Sequence, residues 1–265
     1  MAARARILAL TEDSGRQGQP TLQKVLKEAL KIVVDGADLN PARIKIEPLP
    51  ENDRALFGMR ANNWKQDPPS VDTIRLLEAI AGQLAQPTGF VVFHFDTDRV
   101  WSERASSEHR QKFDNLVRNK VRRFLRGEGT APAAPHPRRV LTSEQAEDAL
   151  QRLLVLSPCY SMESWLYQAT TELLLHCRKE HDSKEHKQII EEWSTDRTRL
   201  DEFYRPKHEA LPSCVGDRYN EELAKSFPAV EVWLAERSFY ESVERLRACT
   251  ALVEAIGHQV PVSSE

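Results

Sequence analysis

The sequence lacks closely spaced cysteines. Its four cysteines, Cys159, Cys177, Cys214 and Cys249, lie far apart and include no Cys-x-x-Cys pair. Zinc ribbons need such pairs, and a disulfide framework needs a denser set of cysteines in a short secreted chain. The sequence therefore indicates neither, and we expect reduced thiols, as in cytoplasmic proteins.

Long apolar runs are also missing. No segment approaches the roughly 20 apolar residues of a membrane-spanning helix. The first apolar run, Ile7 to Leu10, is too short for the core of a secretory signal peptide. We therefore expect a cytoplasmic protein with no membrane partner.

The chain has little net charge. Its 265 residues carry a formal charge of −3, so the overall electrostatic field does not attract nucleic acid or membranes. A polyanion could bind only through a local basic surface or through metal ions. The length suffices for one large domain or for one domain with an appendage.

What the sequence does contain is an alternation of short apolar runs with amphipathic segments up to about residue 175, followed by helical patterns alone. The strand candidates are residues 6–10, 43–48, 89–95 and 153–156. Because strands that alternate with helices form parallel sheets, we predict an α/β domain over residues 1–175, with a mostly parallel central sheet of about four strands flanked by helices. Residues 176–265 are predicted to form a helical extension packed on it, including a long helix from Ala229 to Ile256.

Two aspartates end the most apolar strand candidate, in Phe93-His94-Phe95-Asp96-Thr97-Asp98. In open α/β sheets the ligand lies beyond the carboxyl ends of the strands, and residues two apart on an extended chain point to the same side. Asp96 and Asp98 could therefore hold one Mg²⁺ or Mn²⁺ ion, since these ions prefer oxygen ligands. The alternative is that the two residues only form the turn after the strand.

Two further acidic groups follow strand ends. Glu12 comes after the first strand candidate, in Leu10-Thr11-Glu12-Asp13, and Glu163 stands in the first turn of the helix that follows the fourth. Both are expected at the ligand edge of the sheet. For Glu163, a favourable interaction with the helix dipole is a sufficient alternative reason.

The most basic local surface is predicted on the helix that ends near Leu125. Its polar face carries Arg118, Lys120, Arg122 and Arg123, which are candidates for binding the phosphates of nucleic acid. The alternative, a solvated helix face, is the commoner situation because no aromatic residues alternate with these cations.

The order of the acidic groups resembles that of the Toprim domain, the metal-dependent catalytic unit shared by topoisomerases and primases. In that family a Glu follows the first strand and an Asp-x-Asp follows the third, and Glu12 and Asp96-Thr97-Asp98 match them here. Glu163-Ser164-Trp165-Leu166 is similar to the Glu-x-Trp-Leu element of stand-alone Toprim-like proteins that occur with bacterial phage-defence and mobile-element genes. The resemblance covers approximately residues 4–175.

The resemblance implies a nuclease that hydrolyses phosphodiester bonds with Mg²⁺ or Mn²⁺, as the effector of a defence system and beside a partner protein such as an ATPase. It implies that Asp96 and Asp98 hold the metal, that Glu12 binds metal or moves a proton, and that Glu163 contributes to the same site. In the family a Gly commonly follows the first Glu. Here Asp13 stands there, so either acid could fill the Glu role. A nuclease is favoured over a topoisomerase because no tyrosine stands out as a nucleophile.

Two other classes of function remain open. The apolar strand followed by Asp96-x-Asp98 also resembles the first motif of haloacid-dehalogenase-like phosphatases, with Asp96 as nucleophile and Asp98 as acid or base. That family needs a downstream Lys and an acidic pair on later strands, which the sequence does not offer in a convincing place. The third alternative is a non-catalytic subunit that binds a partner protein through its C-terminal helices.

Overall fold

The fold is built on a sheet of four parallel strands. In the computed structural model, which describes residues 4–13, 17–35, 37–49, 63–65, 67–128, 139–180, 182–205, 219–226 and 237–257, the strands are β1 (Ala5–Thr11), β2 (Ile44–Glu47), β3 (Gly89–His94) and β4 (Leu153–Leu156). Their order across the sheet is β2-β1-β3-β4, and every neighbouring pair is parallel. The predicted α/β class, with about four mostly parallel strands flanked by helices, is confirmed.

Helices flank the sheet and form the C-terminal part of the described chain. They are α1 (Gly18–Val33), α2 (Val71–Leu84), α3 (Glu108–Lys112), α4 (Asn119–Leu125), α5 (Ser143–Leu150), α6 (Glu163–Leu166), α7 (Thr170–Glu180), α8 (Lys184–Thr195), α9 (Asn220–Leu223), α10 (Arg237–Arg247) and α11 (Thr250–Ile256). A π-helical turn, Phe113–Arg118, joins α3 to α4, and 3₁₀ turns cover Asn63–Lys65, Trp101–Ser106 and Arg197–Glu202. No helix within the described ranges is long and apolar enough to cross a membrane.

The predicted helix from Ala229 to Ile256 is broken. Its first residues lie outside the described part of the chain, and the remainder forms α10 and α11. Cys249, between them, has a non-helical backbone with φ −84° and ψ 88°. Leu246 before the break and Leu252 after it are both fully buried, so packing of the two short helices replaces the single predicted helix.

The cysteines behave as packed apolar residues. Cys159, Cys177 and Cys249 are buried and form no disulfide, and Cys214 lies outside the described residues. Burial raises the pKa of the Cys159 and Cys249 thiols. Thiols in such surroundings are inert, because the thiolate is the reactive form.

Successive residues of each strand face opposite helical layers, as period-two geometry requires. Ile7 and Val92 pack into a core with α1 and with the C-terminal helices α8, α10 and α11. Leu8 and Phe93 pack into the opposite core, with α2, α4 and α5. Strand β3 lies between the two layers, and all six of its residues are buried. This position explains its continuous apolar sequence.

The C-terminal helices share the first core with the α/β part. Trp193, Phe239 and Leu252 belong to the same buried cluster as Ile7. The predicted division at residue 175 falls inside α7. Within the described residues, the predicted helical extension and the α/β part therefore bury their apolar residues together.

Gly89 allows β3 to begin directly beside the end of α2. A Cβ atom there would lie 1.8 Å from the carbonyl oxygen of Gln83, so any other residue would displace the helix or the strand. The guanidinium of Arg152, just before β4, donates to the carbonyl oxygens of Leu84 (2.7 Å) and Gly89 (2.6 Å). These contacts hold the amino ends of β3 and β4 together, at the edge opposite to the one where the strands end.

A buried chain of hydrogen bonds joins three elements around the first core. Trp165 in α6 donates through Nε1 to the hydroxyl oxygen of Ser238 (2.7 Å). Ser238 donates through its hydroxyl and its backbone N–H to the two oxygens of Asp201 (2.6 Å each). Burial raises the pKa of Asp201 above its ordinary value of 3.8, although both bonds from Ser238 act in the opposite direction. The folded protein therefore binds a proton at Asp201 more tightly than the unfolded chain does.

We expect Asp201→Asn to remove part of the pH dependence of stability. A carboxyl group with a raised folded-state pKa contributes stability that is present at low pH and is lost as the pH rises from the unfolded pKa, about 4, through the folded pKa. The free energy of unfolding of the wild type, relative to that of the Asn variant, should therefore fall as the pH rises from about 4. Urea denaturation of both proteins at several pH values measures this difference, and a constant or rising difference would contradict the shift.

Candidate functional site

The acidic residues singled out in the sequence lie at one edge of the sheet. Glu12 directly follows β1, Asp96 and Asp98 follow β3, and Glu163 begins α6 after β4. A cleft of about 270 Å³ opens there, and it is lined by Asp96, Asp98, Glu163 and Asp13 among other residues. Glu12 is not part of the lining. The cleft occupies the ligand-binding edge that is typical of parallel α/β sheets.

Glu12 is engaged behind the cleft. Its Oε1 accepts a hydrogen bond from the backbone N–H of Asp96 (2.6 Å), and its Oε2 accepts one from Trp64 Nε1 (3.1 Å). Lys65 Nζ lies 3.0 Å from the same Oε2, and only 8% of the Glu12 side chain is exposed. Both carboxylate oxygens are therefore bound by donors. Sequence reasoning missed Trp64 and Lys65, because no apolar periodicity places them.

Asp96 connects this network to the cleft. Its Oδ1 accepts a hydrogen bond from the backbone N–H of Met162 (3.2 Å) and lies 3.4 Å from His94 Nε2. His94 is buried, and its Nδ1 lies 2.9 Å from the hydroxyl oxygen of Thr11. The imidazole therefore stands between the end of β1 and the Asp96 carboxyl group.

The pKa of Asp96 is raised to about 6. Burial is the largest cause, the contact with His94 opposes it, and the negative charges of Glu12 and Glu163 add to it. Burial alone would lower the pKa of His94, but Asp96, Glu12 and Asp13 together raise it above 6.5. A carboxyl group whose ionised form is disfavoured by neighbouring acids marks a place where a cation would be stabilised.

Asp98 is open to solvent, with 55% of its side chain exposed. Its Oδ2 lies 3.4 Å from Nε2 of His109, whose Nδ1 lies 2.6 Å from the backbone oxygen of Asp96 and 3.2 Å from Lys65 Nζ. His109 therefore joins the two aspartates, one through its carboxylate and the other through its backbone.

Three residues at the cleft have a left-handed backbone. Asp98 has a φ of 49°, Tyr160 a φ of 56° and Arg205 a φ of 45°, a conformation that costs energy for residues other than glycine. The N–H of Asp98 donates to the oxygen of Tyr160 (3.1 Å), and the N–H of Tyr160 donates to the oxygen of Arg99 (2.8 Å). Strained residues of this kind concentrate at functional sites. Here the two hydrogen bonds hold Asp98 and Tyr160 side by side on adjoining loops.

Glu163 is held by two neutral donors. Its Oε2 accepts a hydrogen bond from the hydroxyl of Ser161 (2.7 Å), and its Oε1 accepts one from Asn220 Nδ2 (3.1 Å). Asn220 belongs to α9, which sequence reasoning did not connect with the site. Because neither donor is charged, they orient the Glu163 carboxylate without offsetting its charge.

The two carboxylates of Asp96 and Asp98 at the cleft are oxygen ligands of the type that a divalent cation such as Mg²⁺ prefers. Among the residues that the structure describes, no three His, Cys, Asp or Glu side chains are grouped closely enough to hold a metal ion by themselves. Mg²⁺ does not need such a group, because it keeps several waters and is bound through one or two carboxylates together with substrate phosphates. Asp96 and Asp98 offer two carboxylates at the cleft, whereas Glu12 would first have to give up its contact with Lys65.

The predicted basic surface lies away from the cleft. Arg118 donates to the backbone oxygens of Leu150 and Leu153 (3.2 Å each), at the amino end of β4, whereas the cleft lies at the carboxyl end. The contacts of the other three cations are Lys120 with Asp67 (3.7 Å), Arg122 with Glu147 (2.6 Å) and Arg123 with the backbone oxygen of Glu128 (3.4 Å). All four cations thus contact groups of their own chain, and phosphate binding by them stays a prediction.

We expect Lys65→Met to destabilise the protein by about 1–3 kcal/mol, because it leaves the buried Glu12 carboxylate without its cationic partner. In a Glu12→Gln background the same change should cost less, since Gln carries no charge. Urea denaturation of the four proteins of this double-mutant cycle measures the coupling. Equal losses in both backgrounds would show that the ion pair does not stabilise the fold.

The residues that carry the resemblance to the Toprim domain meet at this edge of the sheet. Glu12 and the segment Asp96-Thr97-Asp98 are joined through the backbone N–H of Asp96, and Glu163 lines the same cleft. Comparisons of the chain with models of protein families, with curated proteins and with solved structures found no match.

Proposed function

We propose that the cleft hydrolyses phosphodiester bonds of nucleic acid with the help of Mg²⁺ or Mn²⁺, in the manner of a Toprim-type nuclease. The observation that carries this proposal is that Asp96, Asp98 and Glu163 line one cleft at the carboxyl edge of the sheet. Burial and the neighbouring acids raise the pKa of Asp96 there to about 6. Burial and neighbouring negative charges disfavour the ionised form of Asp96, and a divalent cation would remove that cost. Perturbed carboxyl groups at the carboxyl edge of a parallel sheet support a catalytic role over a simple turn.

Asp96 and Asp98 would hold the cation. When bound, the ion supplies positive charge that stabilises the charge developing on the scissile phosphate. His109 helps to fix the positions of the two aspartates relative to each other, because its ring contacts the backbone oxygen of Asp96 and the carboxylate of Asp98. Glu163 and Asp13 complete the acidic lining of the cleft.

Glu12 acts on Asp96 through the backbone. Its carboxylate accepts a hydrogen bond from the N–H of Asp96, and the carboxylate is itself bound by Trp64 and Lys65. This positioning matters because a displacement of about 1 Å near the reacting groups can cost a hundredfold in rate. The metal-binding or proton-transfer role that the resemblance implies for Glu12 would require Lys65 to move.

The setting in a defence system is part of the same proposal. It is supported by the similarity of Glu163-Ser164-Trp165-Leu166 to the element of stand-alone Toprim-like proteins. Glu163 lines the cleft, and Trp165 is buried with its Nε1 bonded to Ser238, so this element links the site to the C-terminal helices. A partner protein such as an ATPase is inferred from the resemblance alone.

We expect Asp96→Ala to lower metal-dependent cleavage by roughly a hundredfold or more. Labelled single-stranded DNA, duplex DNA and RNA are incubated with the protein in Mg²⁺, in Mn²⁺ and in EDTA, and the products are resolved on denaturing gels. The matched control is Asp148→Ala, which removes an exposed aspartate of α5 outside the cleft lining and should leave cleavage unchanged. Asp96→Ala should stay folded at the assay temperature, which its thermal unfolding curve checks, because the loss of the hydrogen bond from the Met162 N–H is offset by the removal of one of several neighbouring carboxyl groups.

A phosphomonoester in the same assay separates the two enzyme classes. Hydrolysis of p-nitrophenyl phosphate that is lost in Asp96→Ala would contradict the nuclease and support the haloacid-dehalogenase-like phosphatase. Mg²⁺ should also raise the melting midpoint of the wild type but not of Asp96→Ala, since a ligand bound only by the folded protein stabilises it. A protein that neither binds Mg²⁺ nor cleaves any nucleic acid would overturn the proposal in favour of the non-catalytic subunit.

A further inference from the structure

One wall of the cleft ends in a cluster of Tyr160, Tyr204 and Arg205, here called the tyrosine rim. The rings of Tyr160 and Tyr204 lie edge to face, with centroids 6.1 Å apart and planes at 72°. Arg205 Nε donates a hydrogen bond to the hydroxyl of Tyr160 (3.0 Å). Tyr160 and Arg205 line the cleft, and Tyr204 is 43% exposed. The tyrosine rim therefore presents exposed aromatic surface and a guanidinium next to the acidic groups.

The tyrosine rim is fixed relative to the aspartates. The N–H of Tyr160 donates to the hydroxyl oxygen of Thr97 (3.1 Å), and the N–H of Asp98 donates to the oxygen of Tyr160 (3.1 Å). These contacts join the loop after β3 to the loop after β4 directly. The backbones of Tyr160 and Asp98 are therefore held next to each other by hydrogen bonds.

The acidic groups next to Tyr204 are engaged. Its hydroxyl donates to Glu103, which anchors the ring by its polar end and leaves its apolar part exposed. Glu202 accepts hydrogen bonds from the hydroxyl of Ser102 (2.8 Å) and from Arg237 (2.9 Å). Because these carboxylates already have donors, they oppose the approach of a phosphate less than unpaired ones would.

We propose that the tyrosine rim binds unpaired bases, so that the substrate of the cleft is a single strand. A base would stack on the exposed ring of Tyr204, and Arg205 would contact the phosphate that enters the cleft. Aromatic rings interleaved with arginine are typical of surfaces that bind single-stranded nucleic acid, because every base has a face that can stack. A duplex hides those faces inside its own stack. This inference rests on the proposed function, since it assigns the substrate class of the same cleft.

The tyrosine rim has an exposed aromatic ring close to the carboxylates of the cleft, and the predicted basic helix surface does not. Arg118, Lys120, Arg122 and Arg123 have no aromatic residue between them in the sequence, and Arg118 contacts the amino end of β4. Stacking needs an exposed ring, and phosphodiester chemistry needs the bound strand to reach the carboxylates. The tyrosine rim supplies the exposed ring of Tyr204 beside Tyr160, and Tyr160 lines the cleft next to Asp98.

The test is the binding of a fluorescently labelled DNA strand, and of the same strand annealed to its complement, by the full chain in EDTA. Fluorescence anisotropy should show tighter binding of the single strand. Tyr204→Ala should weaken that binding roughly tenfold, whereas Tyr204→Phe keeps the ring and should stay within about twofold. The matched control is Tyr240→Ala, because Tyr240 is 45% exposed and lies outside the cleft lining, and its affinity should equal that of the wild type.

Equal affinity for strand and duplex, or an unchanged affinity of Tyr204→Ala, would overturn the inference. The result is independent of the nuclease assay, because no metal is present. Tight binding of single strands that depends on Tyr204, in a protein that cleaves nothing, would support the tyrosine rim and reject the nuclease. Metal-dependent cleavage of duplex without any preference for unpaired strands would support the nuclease and reject the tyrosine rim as its substrate site.

Discussion

The hydrogen bond from the backbone N–H of Asp96 to Glu12 Oε1 holds the carboxyl edge of the sheet together. Pairing of β1 with β3 ends at Thr11 and His94, and the N–H of Glu12 still reaches the carbonyl oxygen of His94 (3.1 Å). At the next position the side chain of Glu12 takes over from the backbone as the acceptor, at 2.6 Å. Without it, the N–H of Asp96 would lose its partner where the chain leaves the sheet, which is costly for a partly buried backbone group.

This bond separates the carboxylates into two groups. Glu12 is turned away from the cleft and has a cationic partner, Lys65, so its charge is balanced inside the protein. Asp96 and Glu163 face the cleft, and besides the contact of Asp96 with His94 they accept hydrogen bonds from neutral groups, namely the Met162 N–H, the Ser161 hydroxyl and the Asn220 amide. Four acidic residues line the cleft, against the guanidinium of Arg205, so a proton or a bound cation would lower the electrostatic cost. Burial is the main cause of the raised pKa of Asp96, and the negative charges of Glu12 and Glu163 add to it.

Sequence patterns predict the parts of this protein that depend on local periodicity. The four parallel strands, and the edge that carries Asp96, follow from apolar runs and from the geometry of α/β sheets, and the structure has both. The partners of the acids could not be predicted in this way. Asn220 binds Glu163 across 57 residues of sequence, and Lys65 reaches Glu12 from a segment without periodicity. The basic helix shows the same limit, because a sequence displays the charge of Arg118 but not that it binds backbone oxygens at the start of β4.

Thr97 couples the proposed metal ligands to the proposed substrate wall. It lies between Asp96 and Asp98 but is 2% exposed and turns away from the cleft. Its hydroxyl donates to the backbone oxygen of Pro158 (2.9 Å) and accepts from the N–H of Tyr160 (3.1 Å). These contacts, with the bond between the backbones of Asp98 and Tyr160, keep both residues in the left-handed conformation despite its cost. The Thr97 hydroxyl and the backbone bonds of Asp98 and Tyr160 therefore link the position of a proposed ligand of the cation to that of the tyrosine at the proposed substrate wall.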